Sequence, residues 1–322
     1  MTQIDPRGIE TASLTDVGMR RASNQDAFGG LVAASGARLL IVADGMGGHA
    51  GGATASRVAI ETIEEVVGRS TDAPETVLRM ALEAANRRVH EEAQKDASLS
   101  GMGTTGVALL FQPDGSAWVA HVGDSRAYRL RDGSLEQLTP DHSLVAELER
   151  RGMITAEEAQ VHPRRNEVLR SIGVEPEVDV DVAQVDARPG DQYLLCSDGL
   201  SGVVRDEEIA AELLRAPPEV AARRLVDAAN ERGGPDNITV QIARVPDPEA
   251  RARHEESARD KLQRQERRAQ QRRVHRLLMA VVVVALLLAI ALIWGLVQLH
   301  EDDATTPGDT QSRLGAPPLE GG

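Results

Sequence analysis

Ala37-Arg-Leu-Leu-Ile-Val-Ala-Asp-Gly-Met-Gly-Gly-His-Ala-Gly-Gly52 is an apolar run that stops at an Asp-Gly pair and passes into a glycine-rich turn. The β-branched Ile41 and Val42 and the glycines that follow make the run a buried strand rather than a helix. Asp44 therefore sits where a rigid strand opens into a turn, held firmly and still open to a ligand. Three readings fit this stretch alone. Gly45-x-Gly47-x-x-Ala50 imitates a dinucleotide-binding turn. The Asp44 carboxylate and the Gly45 carbonyl are hard oxygen donors suited to Mg²⁺ or Mn²⁺. A structural turn whose Asp caps the next helix is the third.

The surroundings narrow the choice. The chain has 322 residues, 41% of them apolar, and one cysteine, Cys196, inside Tyr193-Leu-Leu-Cys-Ser. An intrachain disulfide is excluded, and a buried inert thiol in a reducing compartment is expected. Met1 to Glu10 is polar, so no secretory leader is expected. Residues 277–299 run without a charge and at helical rise span roughly 34 Å, which predicts a transmembrane helix. Residues 251–276 carry ten Lys or Arg against four acids, and residues 300–322 carry one Arg against five. The basic flank predicts a single-pass cell-membrane protein with a cytoplasmic N-terminal part, a basic juxtamembrane linker at 247–276 and a short outer tail at 300–322. Residues 1–250 keep 25 basic and 41 acidic side chains, which disfavours nucleic acid as a partner. The basic linker beside the span points to anionic lipid.

In chain order, Gly8 to Gly18 reads as a strand, and residues 31–34 and 37–43 as a hairpin through Ser35-Gly36. Helices are expected at 52–67, ending at Gly68, and from Pro74 to about Gln94. Strands at 104–111, 116–122, 127–130 and 134–138, joined by Asp-Gly turns, form an antiparallel meander. That order argues against the dinucleotide reading, which needs a second parallel strand soon after the first helix. Residues 141–173 read as a charged insertion of short helical pieces near the site, with a Thr155-x-x-Glu158 capping box. Strands at 178–182 and 191–197, helices at 206–215 and 218–231, and a last strand to Ala243 complete the pattern.

Asp44, Asp124, Asp198 and Asp236 all lie at strand ends beside Gly, Ser or Asn. Four carboxylates brought together repel, and divalent cations relieve that repulsion. With no HxxxH or CxxC spacing, the donor set favours Mg²⁺ or Mn²⁺ over Zn²⁺. Two such ions sharing Asp44 could hold a bridging water for in-line attack on phosphorus. Arg20 or Arg21 could grip a phosphate bidentately.

Arg21-Ala-Ser-Asn-Gln-Asp26, Val42-Ala-Asp-Gly-Met-Gly-Gly-His49, Gly101-Met-Gly-Thr-Thr105, Val122-Gly-Asp-Ser-Arg126, Leu195-Cys-Ser-Asp-Gly199 and Gly234-Pro-Asp-Asn237 together resemble the successive motifs of the metal-dependent protein phosphatase family (type 2C, PPM), in its bacterial membrane-anchored form. The resemblance covers residues 8–246. It implies an α+β fold, two central antiparallel sheets flanked by helices in an αββα sandwich. It also implies hydrolysis of phosphoserine and phosphothreonine on proteins with two Mn²⁺ or Mg²⁺ ions and a possible third. By the same resemblance Asp44 bridges two ions, the Gly45 carbonyl binds the second, Asp198 and Asp236 bind the first, and Asp124 with Asp198 holds the third. Arg21 binds the phosphate, Asp26 orients the attacking water, and a membrane Ser/Thr kinase is an implied partner. Two positions depart from the family. Gln25 stands where bacterial relatives usually place an acid, and Met46 where eukaryotic relatives place a histidine; that histidine's role is not transferred to His49. Gln25 is the one hint of the alternative, an inactive phosphatase-like regulatory module.

Overall fold

The computed structural model describes residues 3–4, 8–249 and 284–295, without the side chains of residues 3, 4, 49 and 50. The chain divides after Ala250 into two units. The first contains strands β1 (Gln3–Ile4), β2 (Glu10–Asp16), β3 (Ala27–Val32), β4 (Arg38–Ala43) and β5 (Gly45–Met46), then helices α1 (Gly48–Arg69) and α2 (Pro74–Lys95). Strands β6 (Gly103–Thr104), β7 (Gly106–Phe111), β8 (Ala117–Val122), β9 (Arg126–Arg131) and β10 (Ser134–Gln137) follow, then α3 (Leu144–Arg150) and α4 (Ala156–Val161). The unit closes with β11 (Asp181–Val185), β12 (Gln192–Cys196), α5 (Asp198–Ser201), α6 (Asp206–Arg215), α7 (Pro218–Glu231) and β13 (Ile238–Arg244).

The strands make a six-stranded sheet, β1-β2-β13-β12-β9-β10, a five-stranded sheet, β11-β8-β7-β4-β3, and a short β5-β6 ribbon. Every pairing is antiparallel. Alternation along each strand explains the layers. In β4, Leu39, Ile41 and Ala43 pack under α1 and α2, while Leu40 and Val42 turn to the space between the sheets. In β12, Leu194 and Cys196 join the core under α6 and α7, and Tyr193 and Leu195 meet β4 and β7 residues in the middle. Strands covered on both faces must be apolar throughout, which is why both read as unbroken apolar runs. Burying each such Leu, Val or Ile contributes about 1.5–3 kcal/mol over leaving it in water. The expected α+β arrangement of two antiparallel sheets between helices is present.

Three boundaries differ from expectation. β3 begins at Ala27, paired with Ala43, so the arm facing β4 is longer than residues 31–34. α1 follows directly on the turn made by Gly47 and Gly48, both with positive φ, four residues before 52. β11 lies at Asp181–Val185 rather than 178–182, because Val178 and Val180 pack in the helix-side core without entering the ladder with β8. The capping box at Thr155 and Glu158 is formed, and the Asp132-Gly133 turn joins β9 to β10 with φ of 51° and 83°.

In the second unit residues 284–295 are helical. Among the described residues no helix is long and apolar enough to cross a membrane. The rest of the expected 277–299 span, the linker from 250 onward and the 300–322 tail lie outside the described residues.

Candidate metal centre and active site

The antiparallel order sends five aspartates to one edge of the sandwich. Asp44 follows the end of β4, Asp124 the end of β8, and Asp198 the end of β12, while Asp26 and Asp236 precede β3 and β13. The ladders bring these ends side by side: Ala43 pairs with Ala27, Gly106 beside β4 pairs with Val122, and Cys196 pairs with Val240. Arg20, Arg21, Asp44, Gly45, Asp124, Asp198 and Asp236 line one open cleft of about 580 Å³, joined on one side by Asn166 and Val168 of the 141–173 insertion. Asp26, half-buried, does not line the cleft and accepts a hydrogen bond from Ser197.

Each carboxylate is held through the backbone that carries it. The Asp44 N–H donates to Thr105 Oγ1 (2.9 Å), and the Asp44 carbonyl accepts from Thr105 N–H (2.8 Å) and Thr104 Oγ1 (2.8 Å). Thr105 Oγ1 lies 2.7 Å from Ser125 Oγ, so one hydroxyl pair ties the Asp44 turn to the Asp124 turn. Asp26 Oδ2 accepts from Ser197 Oγ (2.7 Å), which accepts from Thr239 N–H (3.0 Å). Asn237 accepts from Gln25 N–H (2.8 Å) and donates to the carbonyls of Val17 and Ser23, fixing the loop that bears Arg21. Arg21 Nη2 donates to Asp236 Oδ2 at 2.5 Å. Only glycine fits at Gly45, since a Cβ there would come within 2.1 Å of the Gly52 carbonyl oxygen and 2.5 Å of that of Gln25.

Crowding governs the charge state. Burial first, and then the neighbouring charges of Asp26, Asp198, Asp124 and Asp236, push the Asp44 pKa well above the usual carboxylate range. Burial, Asp198 and Asp236 raise Asp26 to about 6 against its hydroxyl donors, and burial, Asp198 and Asp141 raise Asp124 to about 7. Asp198 is raised by burial and by Asp236. Asp198 Oδ1 and Asp26 Oδ1 are buried without a hydrogen-bond partner. Unpartnered carboxylate oxygens within a mutually repelling set of acids fit hard divalent cations, which take oxygen ligands and cancel the repulsion.

Of the residues named by the sequence reading, Arg21, Asp44, Gly45, Asp124, Asp198 and Asp236 line the cleft, and Asp26 is joined to this edge through Ser197. The sequence reading missed Thr105, Ser125 and Ser197, although all three lie inside the quoted motifs. It also missed a second group, His121, His142 and Asp181, whose ligand atoms lie within 4.8 Å of one another. None of these three lines the carboxylate cleft. Gln25 turns its amide to the Gly48 carbonyl (2.5 Å) and ties the first motif to the start of α1.

Comparison with known proteins decides the family. A family model described as Protein phosphatase 2C matches residues 19–232. The chain belongs to the protein phosphatase 2C family. Among its relatives within that family, serine/threonine protein phosphatase PstP of Mycobacterium tuberculosis is 43% identical over 245 residues, which cover 74% of this chain and 45% of PstP. The chain thus spans less than half the length of that relative. Serine/threonine phosphatase stp of Listeria welshimeri is 40% identical over 235 residues, covering 71% of this chain and 92% of stp. The solved catalytic domain of PstP in complex with two manganese ions superposes with a TM-score of 0.66 at 39% identity, covering 74% of this chain and 99% of that one.

Proposed function

We propose that residues 8–246 form a metal-dependent phosphatase that hydrolyses phosphoserine and phosphothreonine on proteins. The observation that carries this reading is the meeting of Asp44, Asp124, Asp198 and Asp236 on one cleft, with Asp198 Oδ1 buried and unpartnered. Asp44, the Gly45 carbonyl, Asp198 and Asp236 would hold two Mn²⁺ or Mg²⁺ ions, the number of manganese ions in the PstP catalytic domain, and Asp124 with Asp198 would hold a weaker third. When bound, the ions supply a nucleophile at neutral pH and positive charge for the phosphoryl oxygens. Arg21, on the cleft wall and paired with Asp236 here, would turn its guanidinium to the substrate phosphate. Asp26 Oδ1, unpartnered and raised toward neutrality, accepts a proton while Ser197 fixes the other oxygen. The name of PstP supports action on phosphoproteins, among which a membrane kinase is a proposed partner, and the basic flank before residue 277 supports a membrane-anchored, cytoplasm-facing enzyme. In this reading residues 247–276 link the domain to a span at 277–299, and the basic linker meets anionic lipid. The inactive-module alternative is not favoured, since every candidate ligand remains and Gln25 ties the first motif to the start of α1.

The test is turnover of p-nitrophenyl phosphate and of a phosphothreonine peptide after chelation. Mn²⁺ or Mg²⁺ is expected to restore both activities, Zn²⁺ is not, and Asp44→Asn is expected to abolish them. Full turnover in excess chelator would reject the mechanism.

A further inference from the structure

We propose that His142 is a positioning residue that clamps the Gly123–Asp124 turn and joins it to the 141–173 insertion. This inference rests on the metal-centre reading above. His142 is buried at the point where the insertion leaves the sheet. Its backbone N–H donates to the Gly123 carbonyl (3.0 Å), and its Nδ1 accepts from Gly123 N–H (3.2 Å). Gly123 is thus gripped at both its polar groups, one residue before Asp124. From below, Gly123 rests on Thr105, whose Cγ2 would lie 2.6 Å from a Cβ at this position. The other side of His142 faces the returning leg of the insertion. Its carbonyl accepts from Leu169 N–H (2.7 Å), Ser143 bridges to Val168, and Leu144 N–H donates to Glu167 (2.9 Å). Val168 and Asn166 on that leg line the cleft together with Asp124. One imidazole therefore sits between the turn of a candidate metal ligand and the cleft-facing leg of the insertion.

Proton accounting fixes the ring. With Nδ1 accepting, the neutral ring carries its proton on Nε2, 3.3 Å from Asp181 Oδ2. Arg170 Nη1 donates to Asp181 Oδ1 (3.1 Å), so the histidine and the arginine converge on one carboxylate. His121 stacks on the ring at 4.4 Å between centroids, and its own Nε2 donates to the Pro140 carbonyl (2.8 Å). The same accounting disfavours a metal at His121, His142 and Asp181. The His142 Nδ1 lone pair is already taken, its Nε2 bears a proton, and Arg170 already supplies the positive charge. The cluster is a neutral latch.

Asn and Gln separate the two arms, because an Asn amide oxygen reaches the position of Nδ1 and a Gln amide nitrogen that of Nε2. The experiment is calorimetric titration of Mn²⁺ into the chelator-treated full chain, with thermal melts as a check on folding. His142→Asn keeps the contact to Gly123 and is expected to bind its weakest ion within about twofold of wild type. His142→Gln loses that contact, and its weakest ion is expected to bind on the order of 10-fold more weakly. Mn²⁺ is also expected to slow tryptic cleavage after the exposed Arg164 and Arg165 in wild type and to do so less in His142→Gln. Wild-type-like binding and protection in His142→Gln would overturn the latch alone. No Mn²⁺ binding to the wild-type chain would overturn the metal centre and the latch with it. If His142→Gln does not fold, His142→Asn decides, and loss of its weakest ion overturns the proposal.

Discussion

Asp124 shows how a single buried carboxylate links charge to stability. Its native pKa is raised to about 7 by burial, Asp198 and Asp141, whereas an unfolded aspartate titrates near 3.8. Between those values the native chain binds more protons than the unfolded chain, so the metal-free protein loses stability as pH rises. At about 1.4 kcal/mol per unit, the full cost is on the order of 4 kcal/mol above pH 7. Asp124→Asn removes it, so in chelator the variant is expected to gain stability over wild type at pH 8. At pH 5 the gain is expected to be smaller by roughly 3 kcal/mol; a pH-independent difference in denaturant melts would contradict this. Gly45 carries the opposite risk. A methyl group there meets two backbone carbonyls that cannot swing away, so Gly45→Ala is expected to cost about 3 kcal/mol or more. Fluorescence-monitored urea melts with and without Mn²⁺ would measure it. Asp44, Asp124, Asp198 and Asp236 were legible because each stands at a strand end next to Gly, Ser or Asn, and Asp26 only through the motif Arg21-Ala-Ser-Asn-Gln-Asp26. Ser197, Thr105, Ser125 and His142 were not, since their partners lie between 19 and 171 residues away in sequence and nothing in a hydroxyl or an imidazole distinguishes an anchor from a surface group.

The elements were most legible where local chemistry alone decides them. The Thr155 capping box, the Asp132-Gly133 turn and Pro74 at the start of α2 are local signals, and all three hold. The unbroken apolar runs of β4 and β12 follow from burial on both faces. Position 178–182 misled because Val178 and Val180 carry the apolar signal of a strand while serving the helix-side core beside it. β12 also sets the behaviour of the one cysteine. Cys196 is fully buried in the core under α6 and α7, and burial pushes its thiol up to about 12. Because the thiolate is the reactive form, alkylation by iodoacetamide at pH 8 is expected to wait for opening of the six-stranded sheet. Its rate should therefore rise with urea along the global unfolding curve. Rapid labelling in native buffer would show that β12 opens locally.

At the scale of the whole molecule, every proposed ligand lies in the unit that ends at Ala250. The chain 1–250 is expected to fold alone and to match the full chain on a small phosphate ester. Its dephosphorylation of a vesicle-bound phosphoprotein is expected to fall, since tethering raises local concentration without altering the chemistry. Loss of ester turnover on truncation would place part of the catalytic unit beyond residue 250. The ladder between β2 and β13 adds one more consequence. Glu10 pairs with Arg244 and Gly8 lies against Pro246, so the two ends of the unit meet, while the same strands reach the carboxylate edge at their other end, where Asp16 pairs with Ile238. The turn at Asp132 and Gly133 is exposed and joins β9 to β10 at the end of β9 away from Asp124. A circular permutant that fuses residue 246 to residue 8 and opens the chain between Asp132 and Gly133 is therefore expected to bind Mn²⁺ as the parent does, because the metal centre depends on which strands lie side by side and not on where the polypeptide starts.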